Sequence, residues 1–390
     1  MITVSEALDK LFALAEPTGV EEVPLLQAAG RVLARPLAAR RDQPPFAASA
    51  MDGYALRRAE VAPGARFKVV GEAAAGAVWS GRLNPGEAVR IFTGAPVPQD
   101  SDFVVIQEDT SRTSDEITLG DSIGDDSNIR PAGADFSTGD TLDAPRRLSP
   151  ADVALLAAMN HPVLPVRRRP EVALIATGDE LVQPGETPGP GQIIASNSYG
   201  LAALFQRAGA QVRLLPIARD TEAALAKAFE LARGADLVIT IGGASVGDYD
   251  LVGPVAQSLG METAFYKVAM RPGKPLMAGR MSGSVLVGLP GNPVSAMVCG
   301  VIFVQPLLAV MQGLPARPVP RRKARLTASL AANGPREHYM RARRDGDGIA
   351  AFDRQDSSLL SILSRAEALI VRPPNAPAAA AGDLVEYIDF

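Results

Sequence analysis

Between residues 171 and 241, apolar runs of strand length alternate with helical ones. Residues 171–176, 211–217 and 235–241 read as strands, and residues 197–208 and 221–233 as helices. A chain alternating this way buries every run only as a parallel sheet with helices on both faces, so the fold class is α/β. In such sheets ligands lie beyond the carboxyl ends of the strands. Thr177-Gly178-Asp179-Glu180 follows the first strand, Asp220 the second and Gly242-Gly243 the third, which makes them the first candidates for a site.

The other segments organise around this block. At 390 residues the chain exceeds one ordinary core, and 47% hydrophobic with 21% charged residues is a globular balance. Residues 4–14 and 25–32 have helical spacing, with Ser5 before Glu6 as a cap. Residues 41–55 hold Pro44, Pro45 and Gly53 and predict a loop that displays side chains. Residues 67–70, 88–91 and 103–107 are short β-like runs separated by turn residues. Residues 149–159 predict a helix with Ser149 as N-cap and Pro150 in its first position. Arg167-Arg168-Arg169-Pro170 and the proline-rich residues 314–320 mark boundaries. The predicted division is a discontinuous helical and extended N-terminal domain (1–45 and 143–169), a small β-rich domain (46–142), the α/β domain (170–317) and a C-terminal β domain (318–390).

Several function classes are excluded. A net charge of −4 argues against general nucleic-acid binding. One cysteine and two histidines exclude disulfides and Cys/His zinc sites. Cys299 lies in an apolar run and reads as buried, while His161 at the end of an Ala-rich helix reads as capping or surface. The N-terminus lacks the basic-then-apolar pattern of a signal peptide. Residues 294–311 are interrupted by Gln305 and Pro306 and read as a buried helix, so no membrane partner and a cytoplasmic location are expected. There is no P-loop, no Gly-x-Gly-x-x-Gly after a strand and no plausible Ser-His-Asp set.

What remains is chemistry for an oxyanion. Lys267, Arg271 and Lys274 gather positive charge within eight residues around a Pro-Gly turn. Gly242-Gly243 opens a glycine-rich loop that lets backbone N–H groups approach a phosphate-like ligand and ends in Asp248 and Asp250. Carboxylates beside an anion site make electrostatic sense when a hard cation bridges the two. Thr93 offers a hydroxyl beside Gly94, and Asn292 starts a helix whose N-terminus favours anions. Plainer roles stand beside these: Asp179 and Glu180 suit a helix cap, Asp52-Gly53 an ordinary turn, and the basic run a solvated face. The residues by themselves point to a metal-assisted reaction on a phosphate-bearing or oxyanionic ligand.

Taken in order, seven stretches resemble the molybdopterin molybdenumtransferase family, which includes bacterial MoeA and the E domain of gephyrin. They are residues 49–55, 90–98, 128–135, 177–181, 242–250, 271–275 and 288–295. The resemblance implies insertion of molybdenum from molybdate into adenylylated molybdopterin, with Mg²⁺-dependent release of AMP. It also implies an elongated homodimer of four-domain subunits whose cleft lies between the α/β domain of one subunit and parts of the other. Possible further partners are a molybdopterin adenylyltransferase and the molybdoenzymes that accept the cofactor.

Carried over by motif, Asp52, Thr93, Asp135, Glu180, Asp220 and Asp250 are the expected catalytic positions, and Glu180, Asp220 and Asp250 the expected metal ligands. Arg130, Gly242, Gly243, Ser245, Lys267, Arg271, Lys274, Pro290, Asn292, Pro293, Arg341 and Ser357 are the expected substrate contacts. Two departures from the family pattern stand out. Arg271 replaces a common lysine, exchanging a point charge for a bidentate grip, and Pro131-Ala132-Gly133-Ala134 is less basic than in many relatives. The rival readings are a molybdopterin adenylyltransferase, which the segments before Arg167 disfavour, and a non-catalytic pterin-binding scaffold.

Overall fold

The computed structural model describes residues 1–243 and 251–390. Ser245, Asp248 and Asp250 therefore lie outside the described residues.

The alternating block forms the sheet its pattern requires. Among the described residues its strand order is Gln211–Leu214, Glu171–Ala176, Leu237–Ile241, Ser284–Leu289, Met277–Met281 and Glu262–Tyr266. The first four run parallel, and each of the last two pairs antiparallel with the strand before it. Every residue of Leu237–Ile241 and Ser284–Leu289 is buried, as expected of strands covered on both faces. The strand expected over 211–217 stops at Leu214, ahead of Pro216, which has no N–H for a ladder. From Glu171–Ala176 the chain first steps to one side of the sheet and then crosses back to the other. The strand order therefore reverses between Glu171–Ala176 and Leu237–Ile241.

Helix Asn197–Arg207 buries Leu201 and Phe205 against the sheet and against the long helical segment Pro293–Met311. Gly300 allows that contact, because a Cβ there would lie 2.8 Å from Leu201 Cδ2 and 2.9 Å from Leu204 Cδ2. The segment runs from Pro293–Cys299 through a π turn, Gly300–Val304, into Gln305–Met311. The π turn sits just before Pro306, where the α-helical ladder loses a donor. By length and composition this segment passes for a membrane span, but 78% of its most apolar window is buried inside the protein. Its apolar side chains form the core.

Three local readings change. Thr3, not Ser5, caps helix Val4–Phe12: its Oγ1 accepts from Glu6 N (3.1 Å) while its own N–H donates to Glu6 Oε2 (2.7 Å). That helix buries Val4, Leu8 and Leu11 in the α/β core. Residues 25–32 form only the 3₁₀ turn Leu25–Gln27, since Gly30 takes a positive φ and ties back to Leu148 O at 2.8 Å before strand Val32–Leu33 begins. His161 is buried, with Nε2 2.8 Å from Ala38 O, so it is an interior group and not a surface one.

The N-terminal sheet pairs Val20–Pro24, Val163–Arg167, Val32–Leu33 and Arg146–Arg147 beside helix Pro150–Ala158, whose Ser149 and Asp152 form a capping box. A second six-stranded sheet, from Gly53–Leu56 to Glu116–Leu119, makes up the small β body. The C-terminal sheet takes in Met270–Arg271 from the α/β segment as a strand parallel to Glu337–Asp345. Tyr339, Leu369 and Val371 from that sheet, with Leu363 from the short helix Leu360–Leu363, share the α/β core, so the two are packed as one body. Phe205→Ala is expected to cost about 3–5 kcal/mol in urea unfolding. A loss below about 1 kcal/mol would mean that this helix is not packed as described.

Candidate active site

A cleft of about 690 Å³ opens where the strand order reverses, at the carboxyl ends of the parallel strands. Thr177, Gly178 and Glu180 line it from the first strand end, Asp220 from the second and Gly242-Gly243 from the third. The turn Pro290-Gly291-Asn292-Pro293 closes the far wall. Backbone bonds tie these ends together: Thr177 N donates to Ile241 O (3.0 Å) and Gly242 N to Leu289 O (3.1 Å). Glycine is required at 242, where φ is +95° and a Cβ would lie 2.8 Å from Thr177 O.

The cleft concentrates negative charge. Burial raises the Asp220 carboxyl above the ordinary range; a bond from the Asp179 backbone opposes this, and the Asp179 and Glu180 charges push further upward. Glu180 folds back over Gly178, where a Cβ would lie 2.4 Å from its Oε2. Like-charged oxygens gathered this way suit a hard cation, which would relieve the repulsion. Among the described residues no group of three His, Cys, Asp or Glu side chains is arranged to hold a metal. Two carboxylates nevertheless fit Mg²⁺, which takes few protein ligands and completes its shell with water and phosphate oxygens.

The expected cations sit beside the cleft and do not line it; Pro275 is the residue of that segment that does. Lys267 has a φ of +72°, held by Lys267 N donating to Leu276 O (2.9 Å) and Val268 N to Lys274 O (3.1 Å). Arg271 pairs with His338 across the joint to the C-terminal sheet. Burial, and then the charges of Arg271, Arg341, Arg336 and Arg372, push the His338 imidazole down to about 4. Arg341 is 1% exposed and does not line the cleft. Its guanidinium donates to Asp356 O (2.8 Å) and Arg354 O (3.4 Å), bracing loop 354–358. That loop docks on the helix start, where Val294 N donates to Ser357 O at 3.0 Å, and it delivers Ser358, not Ser357, to the cleft.

Asp52, Thr93, Arg130 and Asp135 are in the small β body or the loop beside it, and none of them lines the cleft. Asp52 Oδ1 accepts from Thr93 N and Oγ1, both at 2.7 Å, and these bonds, with the Arg90 charge, lower its carboxyl. Arg90 is held over the rings of Phe92 and Tyr54, 4.7 and 5.1 Å from their centroids. Arg130 and Asp135 are exposed.

Known proteins resemble this chain in sequence and fold. Residues 2–160 match the family model of the MoeA N-terminal region (domain I and II), residues 173–310 that of the probable molybdopterin binding domain, and residues 323–390 that of the MoeA C-terminal region (domain IV). The molybdopterin molybdenumtransferase of a Nostoc species is 38% identical over 369 residues, covering 90% of this chain and 85% of its own. The chain belongs to the molybdopterin molybdenumtransferase family. Its place is in molybdenum cofactor biosynthesis, and it is an enzyme. Molybdopterin molybdenumtransferase 2 of Mycobacterium tuberculosis is likewise 38% identical over 385 residues, 94% of each chain. The crystal structure of a molybdopterin biosynthesis MoeA protein from Pyrococcus horikoshii OT3 has a TM-score of 0.86 at 26% identity, over 100% of both chains.

The family motifs did not mark every residue of the cleft. Asn197 lines it, with Nδ2 donating to Gly291 O at 2.7 Å and Oδ1 buried without a partner among the described residues. Ile193 and Ile194, 57% and 36% exposed, form an apolar lip. The one sequence sign of this wall is an isoleucine pair shortly before a helix start, which periodicity reads as an ordinary short strand.

The raised Asp220 carboxyl gives a test with a definite sign. Its charged form opposes folding at neutral pH, and protonation relieves that cost as pH falls through the raised pKa. In chelator-treated buffer, Asp220→Asn should therefore raise the unfolding midpoint at neutral pH, and the gain should fade on acidification. A midpoint lowered at neutral pH would contradict this electrostatic account.

Proposed function

We propose that this enzyme inserts molybdenum from molybdate into adenylylated molybdopterin and releases AMP in a Mg²⁺-dependent step. The observation that carries this reading is the meeting of Glu180 and Asp220 with the glycine and Pro290–Pro293 turns in one cleft where the strand order reverses. Backbone turns at strand ends and a helix start favour a pyrophosphate. A divalent cation held by Glu180 and Asp220, with Asp250 as the further expected ligand, would neutralise that pyrophosphate and favour breakage of its P–O–P bond. Arg271 and Lys267, beside the cleft, would hold molybdate near the dithiolene sulfurs, so that proximity supplies much of the rate. Lys274 and Arg341 would add to the positive field there, Arg341 chiefly by fixing loop 354–358.

Asp52, Thr93, Arg130 and Asp135 fit the reaction if the enzyme is a homodimer in which the small β body of one subunit faces the cleft of the other. Their placement outside their own cleft supports this reading. A cytoplasmic setting, supply of substrate by an adenylyltransferase and delivery to molybdoenzymes complete the proposal. The names of the curated relatives favour molybdenum insertion over the adenylyltransferase reading, and the acidic cleft favours turnover over a scaffold.

The test is AMP release from adenylylated molybdopterin by the purified protein, with molybdate and Mg²⁺ each omitted in turn. Release should require both, and Asp250→Ala should suppress it without lowering the unfolding midpoint. Binding without release by the unmodified protein would favour a scaffold, and unchanged turnover in Asp250→Ala would remove that carboxylate from the metal role.

A further inference from the structure

Arg90 is a cation held by neutral groups. On strand Glu87–Ile91 it stands in register between Tyr54 of strand Gly53–Leu56 and Glu72 of strand Arg66–Ala73. Among the described residues no carboxylate forms an ion pair with it, Glu72 included. Its guanidinium instead lies over the rings of Phe92 and Tyr54 and donates to Gly53 O (3.2 Å) and Gln107 Oε1 (2.6 Å). Rings and neutral acceptors fix a guanidinium in place without cancelling its charge.

The two acceptors belong to the segments that bracket Asp52. Gly53 follows it directly, and Gln107 holds it from the other side, with its N–H donating to Asp52 O at 3.0 Å. The facing loop is joined on by Gly94 N, which donates to Ser49 O at 2.8 Å, and by the two Thr93 bonds to Asp52 Oδ1. Both Thr93 bonds fall on one carboxylate oxygen, and among the described residues no bond reaches Oδ2.

From this arrangement we infer that Arg90 is the positioning residue of the Asp52–Thr93 pair: clamped between two rings and two acceptors, it fixes the segments on either side of Asp52 so that one carboxylate oxygen stays open to the reaction. The inference rests on the reading above in which Asp52 takes part in that reaction. A direct ion pair between Arg90 and Asp52 would cover Oδ2. Holding the cation on Gly53 O and Gln107 Oε1 keeps its field beside the carboxylate and leaves the oxygen uncovered. The two Thr93 bonds do most to lower the Asp52 carboxyl, and the Arg90 charge adds to them. The acids facing the clamp are Glu72 across the strands and Glu108, which accepts from Gln107 Nε2 at 3.2 Å.

The first readout needs no turnover. The Thr93 methyl, identified by its absence in Thr93→Ser, is followed by NMR on the full chain as pH falls, and the transition that disappears in Asp52→Asn reports protonation of Asp52. Arg90→Met should move its midpoint up, and Arg90→Lys, which keeps the charge, should bring it back down. The second readout is AMP release. Arg90→Met should lower kcat about tenfold or more with little change in KM. It should lower the rate no further in the Asp52→Asn background, because residues acting through one group are not additive. Gln107→Leu cuts the bond to Arg90 but keeps the Gln107 N–H on Asp52 O, and it should lower kcat in the same non-additive way even if Arg90→Met does not fold. An unmoved midpoint in folded Arg90→Met, or losses that multiply in the double variants, would overturn the positioning role. A midpoint that depends on Arg90 in a protein that releases no AMP would uphold the clamp and defeat the proposed reaction.

Discussion

The site depends on the bonds that tie neighbouring strand ends together. Thr177 N on Ile241 O and Gly242 N on Leu289 O hold the first, third and fourth parallel strands in register at their carboxyl ends. Because the chain order reverses there, the loops leaving these strands diverge, and the space between them is a cleft walled by backbone. Gly242 sits at the tightest point, where a side chain would collide with Thr177 O. Thr177, Gly178, Glu180 and Gly242-Gly243 are mounted on that frame, while Asp220 and Ser358 reach the cleft on loops.

Charge is distributed with matching economy. Acids line the cleft and cations stand beside it at the joint with the C-terminal sheet. Asp220 is raised by burial and by its acidic neighbours, and His338 is lowered by burial and by four arginines. Each set is costly by itself, and each is relieved by a ligand of the opposite sign. A substrate that carries an anion and brings a divalent cation satisfies both. The C-terminal sheet reaches this region through one loop, braced by Arg341 and by Gln355, whose side chain bonds the Arg341 N–H and C=O at 3.0 Å each.

Much of this was legible in the sequence because the informative signals were local. The apolar run Leu237–Ile241 and the position of Asp220 after Gln211–Leu214 follow from periodicity and from the rule for strand ends. Ser149-Pro150 announced its helix for the same reason. The misreadings involve partners far away in the chain. His161 is interior because of Ala38 O, and residues 25–32 leave the helix because Gly30 is tied to Leu148. Helix Val4–Phe12 forms as its spacing requires, while its docking on the α/β core is a distant contact that no pattern within nine residues encodes. Arg341 was identified by motif, yet its role as a brace depends on carbonyls 13 and 15 residues away.

The central claim is that the carboxylates at the strand ends hold the divalent cation that lets an anion bind among them. The most direct measurement is Mn²⁺ binding followed by electron paramagnetic resonance in the presence of pyrophosphate, comparing the unmodified protein with Glu180→Ala and Asp220→Ala. The account expects one pyrophosphate-dependent Mn²⁺ site per chain that is lost or greatly weakened in both variants. A site of undiminished affinity in both would place the cation elsewhere and contradict the account.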